Sequence, residues 1–287
     1  MVVCGCFPWA LQNYKESHSL CCSRIVVNPQ ENEFEKITMG QTWSSVFPPK
    51  PQFTEEQLLD QTGKVCPTLD SIIVSLAEIL RKVFIVTGSS SGLGRLLAGL
   101  LYQRNGRVYI AARSEFKAGQ TINDIKRQHP HSNGQLIYLH LDLNDLTTIK
   151  ASAEEFLGKE SRLDVLFNNA GVMVPPQGSK TAQGYELQLG TNNIAPFLFT
   201  SFLHPLLRDT AKVAPKNSVR VIWVSSSAAE NHPNPPIDFA NMDYHREEGI
   251  WTKYGRSKAG NILHSTEFAR RTKEDGVLSL VRDDPNP

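Results

Sequence analysis

Neither sign of charge dominates this chain. Its 287 residues carry 30 Lys plus Arg against 29 Asp plus Glu, a net charge of +1. That balance gives no electrostatic case for nucleic acid as a partner. A long apolar run is missing too. The greasiest stretch, Ser71 to Val86, is interrupted by Glu78, Arg81 and Lys82, so no stable membrane insertion is expected. The amino terminus has no basic segment, and Pro8, Gln12, Asn13 and Lys15 break any apolar core, which argues against a secretory signal. Cysteine is scarce and badly placed for chemistry. Cys4, Cys6, Cys21 and Cys22 crowd the start, Cys66 stands apart, and only His18 lies near the first four. They lack zinc-ligand spacing, so no metal site is expected, and a reducing, cytoplasmic location fits them best.

What is present is ordinary for a soluble globular protein: 40% hydrophobic and 21% charged residues. Residues 1–38 show no sustained periodicity and read as a poorly ordered extension. Residues 39–82 read as an entry segment, with Pro48, Pro49 and Pro51 followed by a short amphipathic helix over Ser71–Leu80. Met39-Gly40-Gln41-Thr42-Trp43-Ser44 fits an N-myristoylation pattern only if Met39 is the true start; a chance match in a loop is the plainer reading.

From Val83 the texture changes, and residues 83–287 read as the main domain. Short apolar strands are expected at 83–86, 108–111, 136–140, 163–167 and 219–224, with a sixth beginning at Val277–Leu280. Helices are expected around 93–104, 115–128, 145–157, 184–207 and 252–271. This alternation predicts βαβ units, and so an α/β fold with a doubly wound parallel sheet covered on both faces. In such sheets ligands lie beyond the carboxyl ends of the strands.

The motifs fall at those ends. Thr87-Gly88-Ser89-Ser90-Ser91-Gly92-Leu93-Gly94 follows the first strand and opens a helix. Glycines let backbone approach a pyrophosphate, and a helix N-terminus offers free N–H groups. The same loop could be only a turn. Arg113 follows the second strand, where a carboxylate would bind ribose hydroxyls and an arginine can hold a 2′-phosphate, which favours NADP over NAD. It could also be a solvated surface residue. Asp142 could accept from an adenine amino group, or it or Asn144 could cap the next helix. Asn168-Asn169-Ala170-Gly171 ends the fourth strand, where small residues admit a cofactor, or where an Asn pair satisfies its own turn. Ser225-Ser226-Ser227 ends the fifth strand, without the GxSxG elbow of a hydrolase nucleophile. Tyr254-Gly255-Arg256-Ser257-Lys258 sets a phenol and an ammonium on one helix face. The ammonium stabilises the phenolate and lowers its pKa from about 10 toward the range of proton transfer. Alone, that spacing is common on exposed helices.

Together, TGxxxGxG, NNAG, the strand-end serine and YxxxK resemble the short-chain dehydrogenase/reductase family in their order. The resemblance covers residues 83 to about 280. VYIAARS, LDVLFNNAGVM, TNNIAPFLFT and YGRSKAGNILHSTEFARR look most like the retinol-dehydrogenase-like and WW-domain-oxidoreductase-like branch, in its fungal members. The resemblance implies a Rossmann-like sheet. It implies that Tyr254 is the general acid/base, that Lys258 holds the nicotinamide ribose, that Ser226 positions the carbonyl, and that Asn192 anchors a relay water near Lys258. Gly88, Ser90, Gly92, Leu93, Gly94, Arg113, Asp142, Asn168, Ala170 and Gly171, with Tyr254 and Lys258, would bind NADP(H). The substrate would be a lipophilic alcohol or carbonyl compound, with a homodimer as one assembly the branch allows. Ala195 stands where many relatives have glycine. Pro233, Pro235 and Pro236 suggest a loop near the substrate mouth.

Two departures from the family pattern stand out. Residues 66–82 intervene between an entry segment like Asp60–Val65 and the first strand. After the sixth strand, Val281–Pro287 replaces the family's Pro-Gly turn, nicotinamide-covering threonine, substrate lid and seventh strand, so the domain reads as C-terminally truncated. The expected activity is NADP(H)-dependent interconversion of alcohol and carbonyl, with fungal specialised metabolism as its setting. The rivals are a truncated nucleotide-binding pseudoenzyme or regulator, a sugar-nucleotide epimerase or dehydratase, whose loop would space its glycines differently, and an interaction module built on residues 1–82.

Overall fold

A computed structural model describes residues 82–230 and 234–284. The cysteines, Met39, the Ser71–Leu80 helix and nearly all of both N-terminal segments lie outside the described residues, as does Pro233.

Six strands form one parallel sheet: β1 (Val83–Thr87), β2 (Arg107–Ala112), β3 (Gln135–His140), β4 (Val165–Asn168), β5 (Arg220–Ser226) and β6 (Leu278–Asp284). Their order is β3-β2-β1-β4-β5-β6. The chain thus runs outward from β1 in one direction, then returns to pair β4 with β1 and runs the other way. The crevice at that reversal is where a doubly wound sheet receives its ligand.

The crossovers are α1 (Gly92–Gln103), α2 (Glu115–Gln128), α3 (Leu146–Leu157), α4 (Ala195–Val213) and α5 (Ile250–Arg271). Strand alternation splits the core in two. Phe84, Val86, Val108 and Ile110 pack with Ala98, Leu101 and Ile125 of α1 and α2. Ile85, Tyr109 and Leu166 pack with Phe156 of α3 and Phe199 and Leu203 of α4 on the other face. Each fully buried Leu, Ile or Phe contributes about 1.5–3 kcal/mol by leaving water. A polar tie secures the amino ends of the two central strands, away from the ligand crevice. The buried Asp164 carboxylate accepts from Val83 N at 2.8 Å and from Arg162 Nε at 2.9 Å and Nη2 at 2.5 Å.

Three elements differ from expectation. The long helix predicted over 184–207 begins at a single turn, Leu187–Leu189, passes through a π-turn, Gly190–Ile194, and continues as α4 to Val213. Its start is delayed because Lys180 bridges Glu186 and the Glu186 carboxylate caps Leu189 N at 2.8 Å. It passes Pro205 and stops where Ala214, ahead of Pro215, turns extended. At α3 neither Asp142 nor Asn144 is the cap; Asp145 accepts from Thr147 N. Last, β6 does not give way to a tail at Val281. It pairs with β5 residue by residue as far as Ser226 opposite Asp284. Ladder pairing uses main-chain groups, and an edge strand tolerates charged residues.

Candidate active site

β1 ends in a hinge of hydroxyl and backbone contacts. The Thr87 hydroxyl accepts from Asn169 N at 3.0 Å and Ala170 N at 2.9 Å, while Asn169 Nδ2 donates to Thr87 O at 2.8 Å. This fixes the NNAG turn of β4 against the glycine loop of β1. Gly88 has φ +68°, and a Cβ there would lie 2.9 Å from Ala170 Cα. A Cβ on Gly94 would lie 2.6 Å from Asn169 Nδ2 and 2.8 Å from Gly88 O. Glycine is therefore required at both positions by close approach. Ser90 tethers the loop from the side, its carbonyl accepting from Thr121 of α2 at 2.9 Å. The residue ahead of α1, Ser91, is extended and makes no side-chain cap, and the first turn holds no acid. Leu93 is exposed in that turn. The opening N–H groups of α1 are therefore not taken by a side-chain cap.

At the end of β2, Arg113 is exposed and has no ion-pair partner among the described residues. Asp142, after β3, is half-buried and accepts from Asn144 N at 2.9 Å. Asn168 is turned the other way: its buried amide donates to Thr200 of α4 at 2.9 Å, so it secures the strand end from below. Ala170 is the surface Gly88 leans on. Gly171 faces Asn192 and Lys258; a Cβ there would lie 3.2 Å from Asn192 Oδ1 and 3.5 Å from Lys258 Nζ.

Asn192 sits in the π-turn, a distortion that often marks functional positions. Its Oδ1 accepts from Val172 N at 2.8 Å, and its Nδ2 donates to Val172 O at 3.0 Å and Ser257 Oγ at 2.9 Å. The amide thus joins the loop after β4 to α5.

α5 presents Tyr254 and Lys258 together, both buried. Lys258 Nζ lies 5.7 Å from the Tyr254 ring centre and donates to Val224 O at 3.1 Å. Asn261 donates to the same carbonyl at 2.8 Å, and the Ser225 hydroxyl donates to Lys258 O at 2.9 Å. α5 is thereby fastened along the end of β5, whose last residue is Ser226, also buried, with its hydroxyl accepting from Ala228 N at 3.2 Å. The sequence reading missed the fasteners: Ser225, Asn261, and Asn193, which donates to Ser257 O at 2.7 Å and to Asn261 Oδ1 at 2.8 Å. For Asn193 the signal was its place beside Asn192 ahead of an apolar helical run. A second phenol, Tyr244, lies in a recess lined also by Arg256 and Ser257. Burial, with the carboxylates of Glu186 and Glu248 nearby, pushes its pKa up, so Tyr244 stays protonated.

The strand ends thus gather a backbone cradle open to an anion, at the end of β2 a guanidinium without an ion-pair partner among the described residues, and a phenol, ammonium and serine beyond Gly171. The donors and the glycine contacts suit a dinucleotide whose pyrophosphate lies on the loop. Among the described residues no helix is long and apolar enough to cross a membrane, and no cluster of three or more His, Cys, Asp or Glu could hold a metal.

Comparison with known proteins agrees with this layout. The short chain dehydrogenase family model matches residues 82–236. Over 235 residues the chain is 54% identical to the short-chain dehydrogenase/reductase pkfC of Emericella nidulans, covering 81% of this chain and 70% of that protein. Over 251 residues it is 50% identical to a short-chain dehydrogenase/reductase of Phomopsis amygdali, covering 87% of this chain and 70% of that one. Among solved structures, the Pseudomonas aeruginosa RhlG/NADP active-site complex superposes with a TM-score of 0.54 at 26% identity, over 70% of this chain and 69% of that one.

Proposed function

Because the chain belongs to the short-chain dehydrogenase family, in its fungal type, we propose that it is an NADP(H)-dependent oxidoreductase that interconverts an alcohol and a carbonyl on a lipophilic small molecule. The observation that carries this reading is the buried Tyr254–Lys258 pair at the end of β5, next to Gly171 and beyond the glycine cradle. Fungal specialised metabolism is the proposed setting, from the fungal source of the relatives.

Gly88, Ser90, Gly92, Leu93 and Gly94 would hold the pyrophosphate on backbone N–H groups. Arg113 would bind a 2′-phosphate, which is why NADP is preferred to NAD in this reading; the solved RhlG relative is an NADP complex. Asp142 would accept from the adenine, and Ala170 and Gly171 leave room for the nicotinamide half, with Asn168 supporting them from beneath. A bound nicotinamide supplies the hydride for reduction and accepts it in oxidation.

Tyr254 gives its hydroxyl proton to the carbonyl oxygen as that oxygen gains charge, and takes it back in the reverse direction. Ser226 donates a hydrogen bond to the same oxygen and orients it. Lys258 stabilises the phenolate left on Tyr254 and binds the ribose. Asn192 acts as a positioning residue, since its amide holds Val172 and Ser257.

The test is reduction of a panel of aromatic ketones with NADPH and with NADH, followed by loss of the reduced nicotinamide's absorbance. Tyr254→Phe is expected to lose about 10²–10⁴-fold in kcat with NADPH affinity nearly unchanged. A Tyr254→Phe protein that keeps its full rate refutes the assigned acid. NADPH binding by the wild type without turnover of any carbonyl would favour a non-catalytic nucleotide binder instead.

A further inference from the structure

The loop after β4 carries a strained residue. Val174 has φ +48°. That region suits glycine, and a β-branched residue there is a genuine outlier. Such a conformation persists only where its surroundings impose it. The partner here is Gln188, in the single turn ahead of the π-turn and wholly buried. Its Oε1 accepts from Val174 N at 3.0 Å. Its Nε2 donates to Ile250 O at 3.1 Å. Glu186 holds the amide in place, its Oε1 accepting from Nε2 at 3.5 Å.

Ile250 is the first residue of α5. In an α-helix its carbonyl is the acceptor for the N–H four residues on, which is that of Tyr254. The register is visible one residue earlier, where Lys253 N donates to Gly249 O at 3.0 Å. One end of the Gln188 amide therefore grips the strained loop, and the other grips the carbonyl that starts the turn bearing the phenol.

Asn192 makes the parallel connection one turn later, from Val172 to Ser257. The two amides form two rungs between the same loop and the same helix. The Asn192 rung lies beside Lys258; the Gln188 rung lies on the Tyr254 side. Gly171, which opens this loop, lies next to Lys258, so the placement of the loop against the phenol depends on both rungs.

We propose that Gln188 is a positioning residue for Tyr254: it holds Val174 in its left-handed conformation and fixes the first turn of α5 against that loop. This rests on the reading of Tyr254 as the proton donor, and the experiment separates the two.

Hydrogen–deuterium exchange is measured on the full chain without cofactor, for Gln188→Leu, Gln188→Glu and wild type. Gln188→Leu removes both contacts and is expected to speed exchange in segments 172–176 and 250–256 while β1, β2 and β4 keep wild-type protection. Gln188→Glu keeps the acceptor for Val174; buried beside Glu186 its carboxyl stays protonated at neutral pH, and its one O–H cannot serve both Ile250 and Glu186, so segment 250–256 is expected to loosen less than in Gln188→Leu and segment 172–176 to stay as in wild type. In the NADPH-dependent assay, Gln188→Leu is expected to lower kcat by about 10- to 100-fold, the cost of a misplaced reacting group, with KM for NADPH changed by less than about twofold. Adding Val174→Gly, which adopts the left-handed conformation without strain, is expected to restore part of the kcat.

Wild-type exchange in both Gln188 variants overturns the proposal. So does an unchanged kcat in a variant whose exchange has risen, or a loss that lies wholly in KM for NADPH. A Tyr254→Phe protein with full activity would overturn the assigned acid, and the exchange data would still decide whether Gln188 joins loop to helix.

Discussion

Lowering the pH should destabilise this protein through one histidine away from the proposed chemistry. His264 of α5 stacks between Phe197 of α4 and Trp223 of β5, with ring centres 5.3 and 5.4 Å away and planes inclined by 18° and 29°. Burial lowers its pKa from 6.5 to about 4. Between those values the unfolded chain holds the proton and the folded chain does not, so unfolding becomes easier as pH falls. The stabilisation is complete above 6.5 and is lost as pH drops toward 4. At pH ~5 the two values imply a loss of about 2 kcal/mol. His264 retains some surface, so about 1–2 kcal/mol is the working figure. The assay is urea unfolding at pH ~7.5 and ~5, comparing wild type with His264→Phe, which keeps an aromatic ring in the stack. The variant should lose about 1–2 kcal/mol less than wild type between the two conditions. Equal losses in both proteins would refute the reasoning.

Asp164→Ala leaves Val83 N and the Arg162 guanidinium without their carboxylate. With Arg162 partly exposed, a cost of about 2–4 kcal/mol is expected, read as a lower urea midpoint at constant slope, with kcat per folded molecule unchanged. Gly94→Ala puts a methyl against Asn169 Nδ2 and Gly88 O. It should weaken NADPH binding, measured by fluorescence titration, by about 10-fold or more, because the backbone must shift to relieve it; wild-type affinity would remove the loop from the cofactor site. Arg113→Asp should move preference from NADPH toward NADH in parallel kcat/KM measurements, and an unchanged ratio would count against a phosphate-binding role.

The parallel sheet was legible because each strand is a short apolar run and each crossover a helical pattern of ordinary length. Thr87–Gly94 and Asn168–Gly171 could be placed at strand ends, and Tyr254–Lys258 on a crossover helix, for the same reason. What escaped the sequence was set by non-local contacts. The π-turn at Gly190–Ile194 has no composition of its own; it depends on buried amides meeting α5 and the loop after β4. Gln188, Asn193 and Asn261 read as ordinary polar residues of amphipathic helices, yet all are buried. Asn168 and Asn169 are neighbours of one type with opposite duties, one bonding Thr200 and the other Thr87. Arg282, Asp283 and Asp284 looked like a tail because strand preference is weak for charged residues, whereas their main chain follows β5.

The ammonium of Lys258 leans on Val224 O, a main-chain atom. No point substitution deletes a peptide oxygen. Side chains of β5 can therefore change while that contact to the lysine is kept. An insertion, deletion or register slip in β5 would displace that oxygen, so changing the strand's length should be far more damaging than altering side chains along it.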